Sequence, residues 1–98
     1  MENRIKEKLY DKLVKTITTI QPHDTRHFRV LRYSLQTFDI QRIKDTYYLL
    51  YNGEGISKVY VSCNKFLYGI IDCFYSIILK QCDCIDISEQ LQEIVKNS

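Results

Sequence analysis

Apolar residues in the N-terminal segment recur at spacings of three and four, which is the pattern of one helix face packed on a core. Pro22 and Asp24 follow this run, and both are typical of the point where a helix ends. The sequence therefore predicts a first helix over residues 2–21, with a buried face formed by Ile5, Leu9, Leu13, Ile17 and Ile20.

A second helical pattern begins after Asn64, whose side chain can cap the first free backbone N–H groups. It extends from Lys65 to about Gln81 and carries a broad apolar surface of Phe66, Leu67, Ile70, Phe74, Ile77 and Ile78. Further along, Ser88 begins a short third helix with a narrow stripe of Leu91, Ile94 and Val95. We expect the second helix to lie almost entirely against the core.

The segment 27–35 is rich in residues that favour β-strands. With a period of two, Phe28, Val30 and Arg32 fall on one face and Arg29, Leu31 and Tyr33 on the other. The following residues, 36–44, place polar side chains around a few apolar ones, and we predict a connecting loop or a short extra turn there.

Two β-prone runs, 46–51 and 56–63, flank the sequence Asn52-Gly53-Glu54-Gly55, whose Asn and Gly residues suit a tight reversal. This pattern predicts a β-hairpin. On its second strand, alternation separates an apolar side from a polar side. We expect the polar side, which carries Lys58, Tyr60 and Ser62, to belong to an exposed sheet face, opposite Val59, Val61 and Cys63.

The order of these elements is helix, three strands, helix, and a short C-terminal helix. It predicts an α+β fold: an α-β-β-β-α two-layer sandwich with an antiparallel sheet and both long helices packed on one face. With 98 residues, the chain has the length of a single domain spanning residues 1–98.

Composition places the chain among globular proteins, because 45% of its residues are hydrophobic and 27% are charged. The longest apolar stretch, 66–79, is interrupted by Asp72 and is shorter than the roughly 20 residues that span a bilayer. The N-terminal residues are charged and lack the apolar core of a secretory signal. We therefore expect a cytoplasmic or nuclear protein without a membrane contact.

The four cysteines are expected to be reduced thiols in the core, although a zinc site built from Cys63, Cys73, Cys82 and Cys84 stays open. Their spacing is unlike that of zinc knuckles, where two to four residues separate the paired ligands, whereas a single residue separates Cys82 from Cys84. The two histidines, His23 and His27, are not accompanied by a nucleophile motif. We expect no cofactor and no enzymatic activity.

Basic residues recur along the first strand as Arg26, Arg29 and Arg32, and continue with Arg42, Lys44 and Lys58. By period two, Arg29 and Arg32 cannot share a strand face, so only a subset can line one surface. Tyrosines are interleaved with these charges, namely Tyr47, Tyr48, Tyr51 and Tyr60. Cationic and aromatic side chains together suit a phosphate backbone and unpaired bases, which makes structured RNA a candidate partner.

Several segments resemble the Alu-domain subunits of the signal recognition particle, the 9- and 14-kDa proteins, over about residues 5–82. The segments that carry the resemblance are 28–33, 45–50, 55–59 and 74–80. The resemblance implies a pair of related subunits joined through their sheets, RNA held on the sheet, and a role in slowing translation during targeting. On the matching positions it implies RNA contacts from Arg29, Arg32, Arg42, Lys44, Lys58 and Tyr60.

A second function class is compatible with the same pattern. A small adaptor, or a viral or host accessory protein, could use the sheet face or an exposed sheet edge to hold a protein partner or a second copy of itself. The sequence therefore leaves two hypotheses: an RNA-binding subunit that forms a hetero- or homodimer with a related small subunit, and a protein-interaction module.

Overall fold

The computed structural model describes residues 2–33, 35–63 and 66–81, and these residues form two helices and four strands. In chain order they are α1 (Glu2–Thr19), β1 (Phe28–Tyr33), β2 (Gln36–Ile43), β3 (Thr46–Gly53), β4 (Ile56–Cys63) and α2 (Leu67–Gln81). The predicted α+β class, with an antiparallel sheet and helices on one face, is confirmed. The sheet has four strands, one more than expected.

The additional strand is β2, which replaces the predicted loop over residues 36–44. Phe38 and Ile40 are buried, and the residues between and beside them, Thr37, Asp39 and Gln41, are only partly buried. This is the alternation of a strand with one covered face. The interspersed polar residues indicate the uncovered side of a strand, so the loop prediction was wrong.

The four strands form a meander in the order β1-β2-β3-β4, with every neighbouring pair antiparallel. Lys44 and Asp45 connect β2 to β3, and Glu54 and Gly55 connect β3 to β4. Lys44, Glu54 and Gly55 have positive φ angles of 55°, 46° and 80°. Positive φ is the conformation that tight two-residue hairpin connections require, because it matches the twist of the flanking strands.

A β-bulge interrupts the pairing of β1 with β2. Arg29 pairs with Asp39 and Leu31 with Phe38, so Val30 is the extra residue. Both Val30 and Leu31 are buried as a result. The bulge breaks the period of two that the sequence analysis assumed for this strand, and it changes which residues of β1 share a face.

The core lies between the sheet and the two helices. Tyr47, Leu49 and Tyr51 of β3 face it, and β4 contributes no fully buried side chain. The residues of the core that the structure describes are Leu9, Leu13, Ile17, Ile20, Val30, Leu31, Phe38, Ile40, Tyr47, Leu49, Tyr51, Ile70, Ile71, Phe74 and Ile78.

Tyr10 joins the two helices. Its hydroxyl donates a hydrogen bond of 2.8 Å to Oδ1 of Asp72, and its ring meets the ring of Tyr75 edge to face, 5.5 Å between centroids. The hydrogen bond to the Asp72 carboxylate raises the pKa of Tyr10, and partial burial raises the pKa of Tyr75. Both tyrosines therefore keep their protons well into the alkaline range.

The predicted helices are present with slightly shorter limits. Past the end of α1, Asp24 accepts a 2.9 Å hydrogen bond from the backbone N–H of Gln21, which closes the turn after the helix. The predicted Asn64 cap and the short helix from Ser88 lie outside the described residues. Within those residues, neither helix is long and apolar enough to cross a bilayer.

Candidate interaction surface

The face of the sheet opposite the helices, which we call the open face, is divided into a polar half and an apolar half. Cross-strand pairing defines its rows, because directly paired residues point to the same side. The outward residues of β1 and β2 are Arg29, Arg32, Thr37, Asp39, Gln41 and Ile43. Those of β3 and β4 are Thr46, Tyr48, Leu50, Asn52, Ser57, Val59, Val61 and Cys63.

Four of these residues form a compact block that we call the apolar patch: Tyr48, Leu50, Val59 and Val61. Leu50 pairs directly with Val59, and Tyr48 with Val61. The valines are 56% and 60% exposed, and the β3 residues are half-buried. Ile43, 48% exposed, lies at the margin of the block. Adjacent exposed apolar side chains on a sheet face are a feature of interaction surfaces.

The orientation of β4 is opposite to the one predicted. Tyr60 pairs with buried Leu49 and Lys58 with Tyr51, so the even-numbered residues of β4 lie on the helix side. Val59, Val61 and Cys63 therefore point to the open face. The expectation that Lys58, Tyr60 and Ser62 form part of an exposed polar sheet face was wrong, because hairpin pairing fixes which side each residue occupies.

Arg29 and Arg32 are the two predicted RNA contacts that reach the open face. The bulge at Val30 places both on the same side, since Arg29 pairs with Asp39 and Arg32 with Thr37. The earlier inference that they cannot share a face was wrong for this reason. Nε of Arg29 donates a 2.6 Å hydrogen bond to Oδ1 of Asp39, so part of its charge is neutralised within the protein.

Arg42 lies on the helix side and is held within the fold. Its Nη1 donates to the carbonyl oxygen of Ile20 at 3.1 Å, and its Nε donates to the carbonyl oxygen of Lys44 at 2.7 Å. The guanidinium also lies over the Tyr47 ring, 5.2 Å from its centroid, and a carboxylate oxygen of Asp45 is 3.9 Å away. Because only 19% of the side chain is exposed, Arg42 is poorly placed to meet a phosphate.

The other predicted contacts are divided between a turn and the helix side. Lys44 is exposed in the turn between β2 and β3. Lys58, the third residue of β4, is exposed and lies on the helix side. The hydroxyl of Tyr60 accepts a 2.6 Å hydrogen bond from Nε2 of Gln81, which fastens the end of α2 to β4. The structure thus brings together Arg29 and Arg32 and separates them from the remaining four.

The thiols that the structure describes are not in the core. Cys63 and Cys73 are both free and exposed, so the expectation of core cysteines was wrong for these two. Cys82 and Cys84 lie outside the described residues. Among the residues that are described, no group of three His, Cys, Asp or Glu side chains is placed to hold a metal ion.

The geometry defines the class of the protein: a two-layer α+β domain whose four-stranded meander leaves one sheet face uncovered by the two helices. No family model matches the chain, and no curated protein or solved structure matches it either. The functional argument therefore depends on the surfaces of the molecule itself.

Proposed function

We propose that this chain is a non-enzymatic protein-interaction module that binds a protein partner on the apolar patch. The observation that carries the proposal is the exposure of Val59 and Val61 beside Leu50 and Tyr48 on the neighbouring strand. Removing apolar surface from water is favourable by about 25 cal/mol per Å². A partner that covers this block would gain that term from four contiguous side chains.

The flank of the patch suggests the chemistry of the partner. Arg32 is exposed on the polar half of the same face, and Arg29 lies one row away, paired with Asp39. A partner with an apolar contact surface and a carboxylate at its edge would complement both halves. Opposite charges at the rim of an interface set its orientation and its association rate more than its affinity.

The experiment compares three forms of the full chain as bait in a nuclease-treated native lysate: the wild type, Leu50→Lys and Leu35→Lys. Leu50 lies in the patch, on the interior strand β3. Leu35 lies between β1 and β2 and is 74% exposed, so it is a matched control away from the patch. Circular dichroism melts establish that each variant folds.

We expect the wild type and Leu35→Lys to enrich the same protein partner. Leu50→Lys should bind this partner at least about tenfold more weakly, which corresponds to a loss of about 1.4 kcal/mol of binding free energy. Titration of the purified partner then gives the affinity of each form directly. A partner retained in full by folded Leu50→Lys contradicts the proposal, and so does enrichment of RNA alone when nuclease is omitted.

RNA binding at the open face is the second candidate function, as a subunit of a ribonucleoprotein that pairs with a related small protein. One observation favours it, the common orientation of Arg29 and Arg32 on the open face. It has less support than protein binding because Arg29 is paired with Asp39, and because Arg42, Lys58 and Tyr60 lie on the helix side. The resemblance to the Alu-domain subunits accompanies a predicted element order with three strands, whereas the sheet of the described residues has four.

A further inference from the structure

The two edges of the sheet differ sharply. β1 has six residues, contains the bulge at Val30 and exposes Arg29 and Arg32. Short length, bulges and charges are the devices by which proteins protect sheet edges from pairing. β4 has eight residues, pairs with β3 in a continuous register, and carries Lys58 as its one charge. Among the described strands, none pairs with the outer edge of β4.

The backbone groups on that outer edge can be assigned from the hairpin. Gly53 and Ile56 close the two-residue turn, and in such a turn the carbonyl of the first residue accepts from the N–H of the fourth. The N–H of Ile56 therefore points to β3, and alternate residues along β4 follow it. The N–H and C=O groups of Ser57, Val59, Val61 and Cys63 consequently point outward.

The sequence of β4 is nearly symmetric about Tyr60. From residue 57 to residue 63 it reads Ser, Lys, Val, Tyr, Val, Ser, Cys. Reversal about the centre exchanges valine with valine, lysine with serine, and serine with cysteine. An antiparallel strand pair related by a two-fold axis at Tyr60 would thus place valine opposite valine, small serine opposite small cysteine, and each lysine opposite a neutral serine instead of a second lysine.

From these three observations we propose that β4 pairs with β4 of a second copy of this chain, antiparallel and centred on Tyr60, to give a continuous eight-stranded sheet. In this register Val59 meets Val61 of the other copy and Ser57 meets Cys63. The outward groups form about eight backbone hydrogen bonds in four pairs. The two Lys58 residues are separated by four positions, about 13 Å, which exceeds the screening length in physiological salt.

The pairing joins the two apolar patches into one block, because Val59 and Val61 of both copies then lie side by side on the open face. It uses the edge of the sheet and goes beyond the proposed function, which uses the face. Partner binding on the patch and pairing through β4 can therefore be tested separately. Leu50→Lys alters the patch on interior strand β3 and leaves the outward backbone groups of β4 unchanged.

The first test is a charge exchange. In Val59→Lys/Val61→Lys, each new lysine faces a lysine of the second copy, and in Val59→Glu/Val61→Glu each glutamate faces a glutamate. Both double variants change residues that are more than half exposed, so folding is expected to survive, and circular dichroism confirms it. The wild type should dimerise with a Kd of about 1 to 100 μM, the range expected for a small interface.

Sedimentation velocity at chain concentrations from about 1 μM to 1 mM measures the oligomeric state of each form. We expect each double variant to be monomeric alone and an equimolar mixture of the two to form a heterodimer. Leu50→Lys should dimerise like the wild type, even if it loses the protein partner of the proposed function. A monomeric wild type overturns the proposal. Dimerisation of either double variant alone overturns it as well.

The second test fixes the register. In Ser57→Cys, the new thiol should meet Cys63 of the second copy, with Cα atoms about 5.5 Å apart, a distance that a disulfide spans. Within one chain these residues are six positions apart along a strand, about 20 Å, so they cannot be joined. Mild oxidation should give a disulfide-linked dimer that is absent from Ser57→Cys/Cys63→Ser. Equal cross-linking of both forms contradicts the Tyr60-centred register.

Discussion

The Arg42 side chain joins three parts of the fold. It contacts the end of the α1 segment through the Ile20 carbonyl, the β2–β3 turn through the Lys44 carbonyl, and β3 through the Tyr47 ring. Hydrogen bonds from a charged donor in a partly buried site contribute more to stability than neutral ones. The basic residue that sequence reasoning assigned to RNA therefore has a structural role in this fold.

Arg42→Ala should lower the free energy of unfolding by about 2 to 3 kcal/mol, because two charged hydrogen bonds and a ring contact are lost. Arg42→Lys should recover only part of this loss, since one ammonium group lacks the planar fork of donors. Urea denaturation measures both. Arg32→Ala, at an exposed position, is the control and should change stability by less than about 0.5 kcal/mol. Equal stabilities of Arg42→Ala and Arg32→Ala would contradict this role.

At the level of single elements, the β3–β4 hairpin determines which side chains form the apolar patch. Gly55 occupies its turn with a φ of +80°, and a Cβ at this position would meet nothing within 4 Å. The requirement for glycine is therefore conformational rather than steric. A left-handed backbone costs roughly 1 to 2 kcal/mol for residues that carry a Cβ.

Gly55→Ala should consequently destabilise the protein by about 1 kcal/mol or more. Gly69→Ala is a control of opposite sign: Gly69 lies within α2, where an added Cβ would make an ordinary contact of 3.7 Å with Cβ of Phe66. Alanine in a helix interior is favoured over glycine by about 0.5 to 1 kcal/mol. Thermal and urea unfolding of the two variants should shift in opposite directions, and a common direction would contradict the argument.

Both helices and the hairpin could be predicted from the sequence because their patterns are local. β2 was missed because Thr37, Asp39 and Gln41 were interpreted as loop residues, although they alternate with Phe38 and Ile40. Missing β2 also led to the wrong orientation for β4. Both faces of β3 are partly apolar, and only pairing with Phe38 and Ile40 selects Leu49 and Tyr51 for the core. Without β2, the side of β4 that faces the helices could not be chosen correctly.

The candidate site was harder to predict from the sequence than the fold, for the same reason. Whether Val59 is core or surface depends on a register that extends across three strands. Whether Arg29 and Arg32 share a face depends on one inserted residue, Val30, that has no local signature in the sequence. Residue types alone suggested a cationic surface, whereas the open face of the assembled sheet joins a polar half on β1 and β2 to the apolar patch on β3 and β4.

At the scale of the whole molecule, the distribution of positive charge separates the two candidate functions. Arg32 is on the open face, whereas Lys58 is on the helix side. Of these two residues, an RNA segment lying across the open face would therefore meet Arg32 and not Lys58. Contacts with phosphates weaken as salt concentration rises, because bound counterions are released. The two residues therefore provide a matched pair for testing RNA binding.

If RNA binds the open face, Arg32→Glu should weaken the affinity at least about tenfold and reduce its salt dependence, whereas Lys58→Glu should leave both nearly unchanged. Fluorescence anisotropy with a structured RNA at several salt concentrations measures the affinities. An equal loss from both variants would indicate nonspecific attraction to net charge. Absence of salt-dependent binding by the wild type would exclude this second candidate function.

The bulge in β1 limits how far an assembly of this chain can grow. A meander with two regular, neutral edges could add copies at both ends and lengthen into a fibre. Here the extra residue at Val30 distorts one edge, and the exposed positive charge of Arg32 repels a second edge of the same kind. Self-association through β4 would therefore stop at two copies, with both outer margins of the joined sheet closed to further addition.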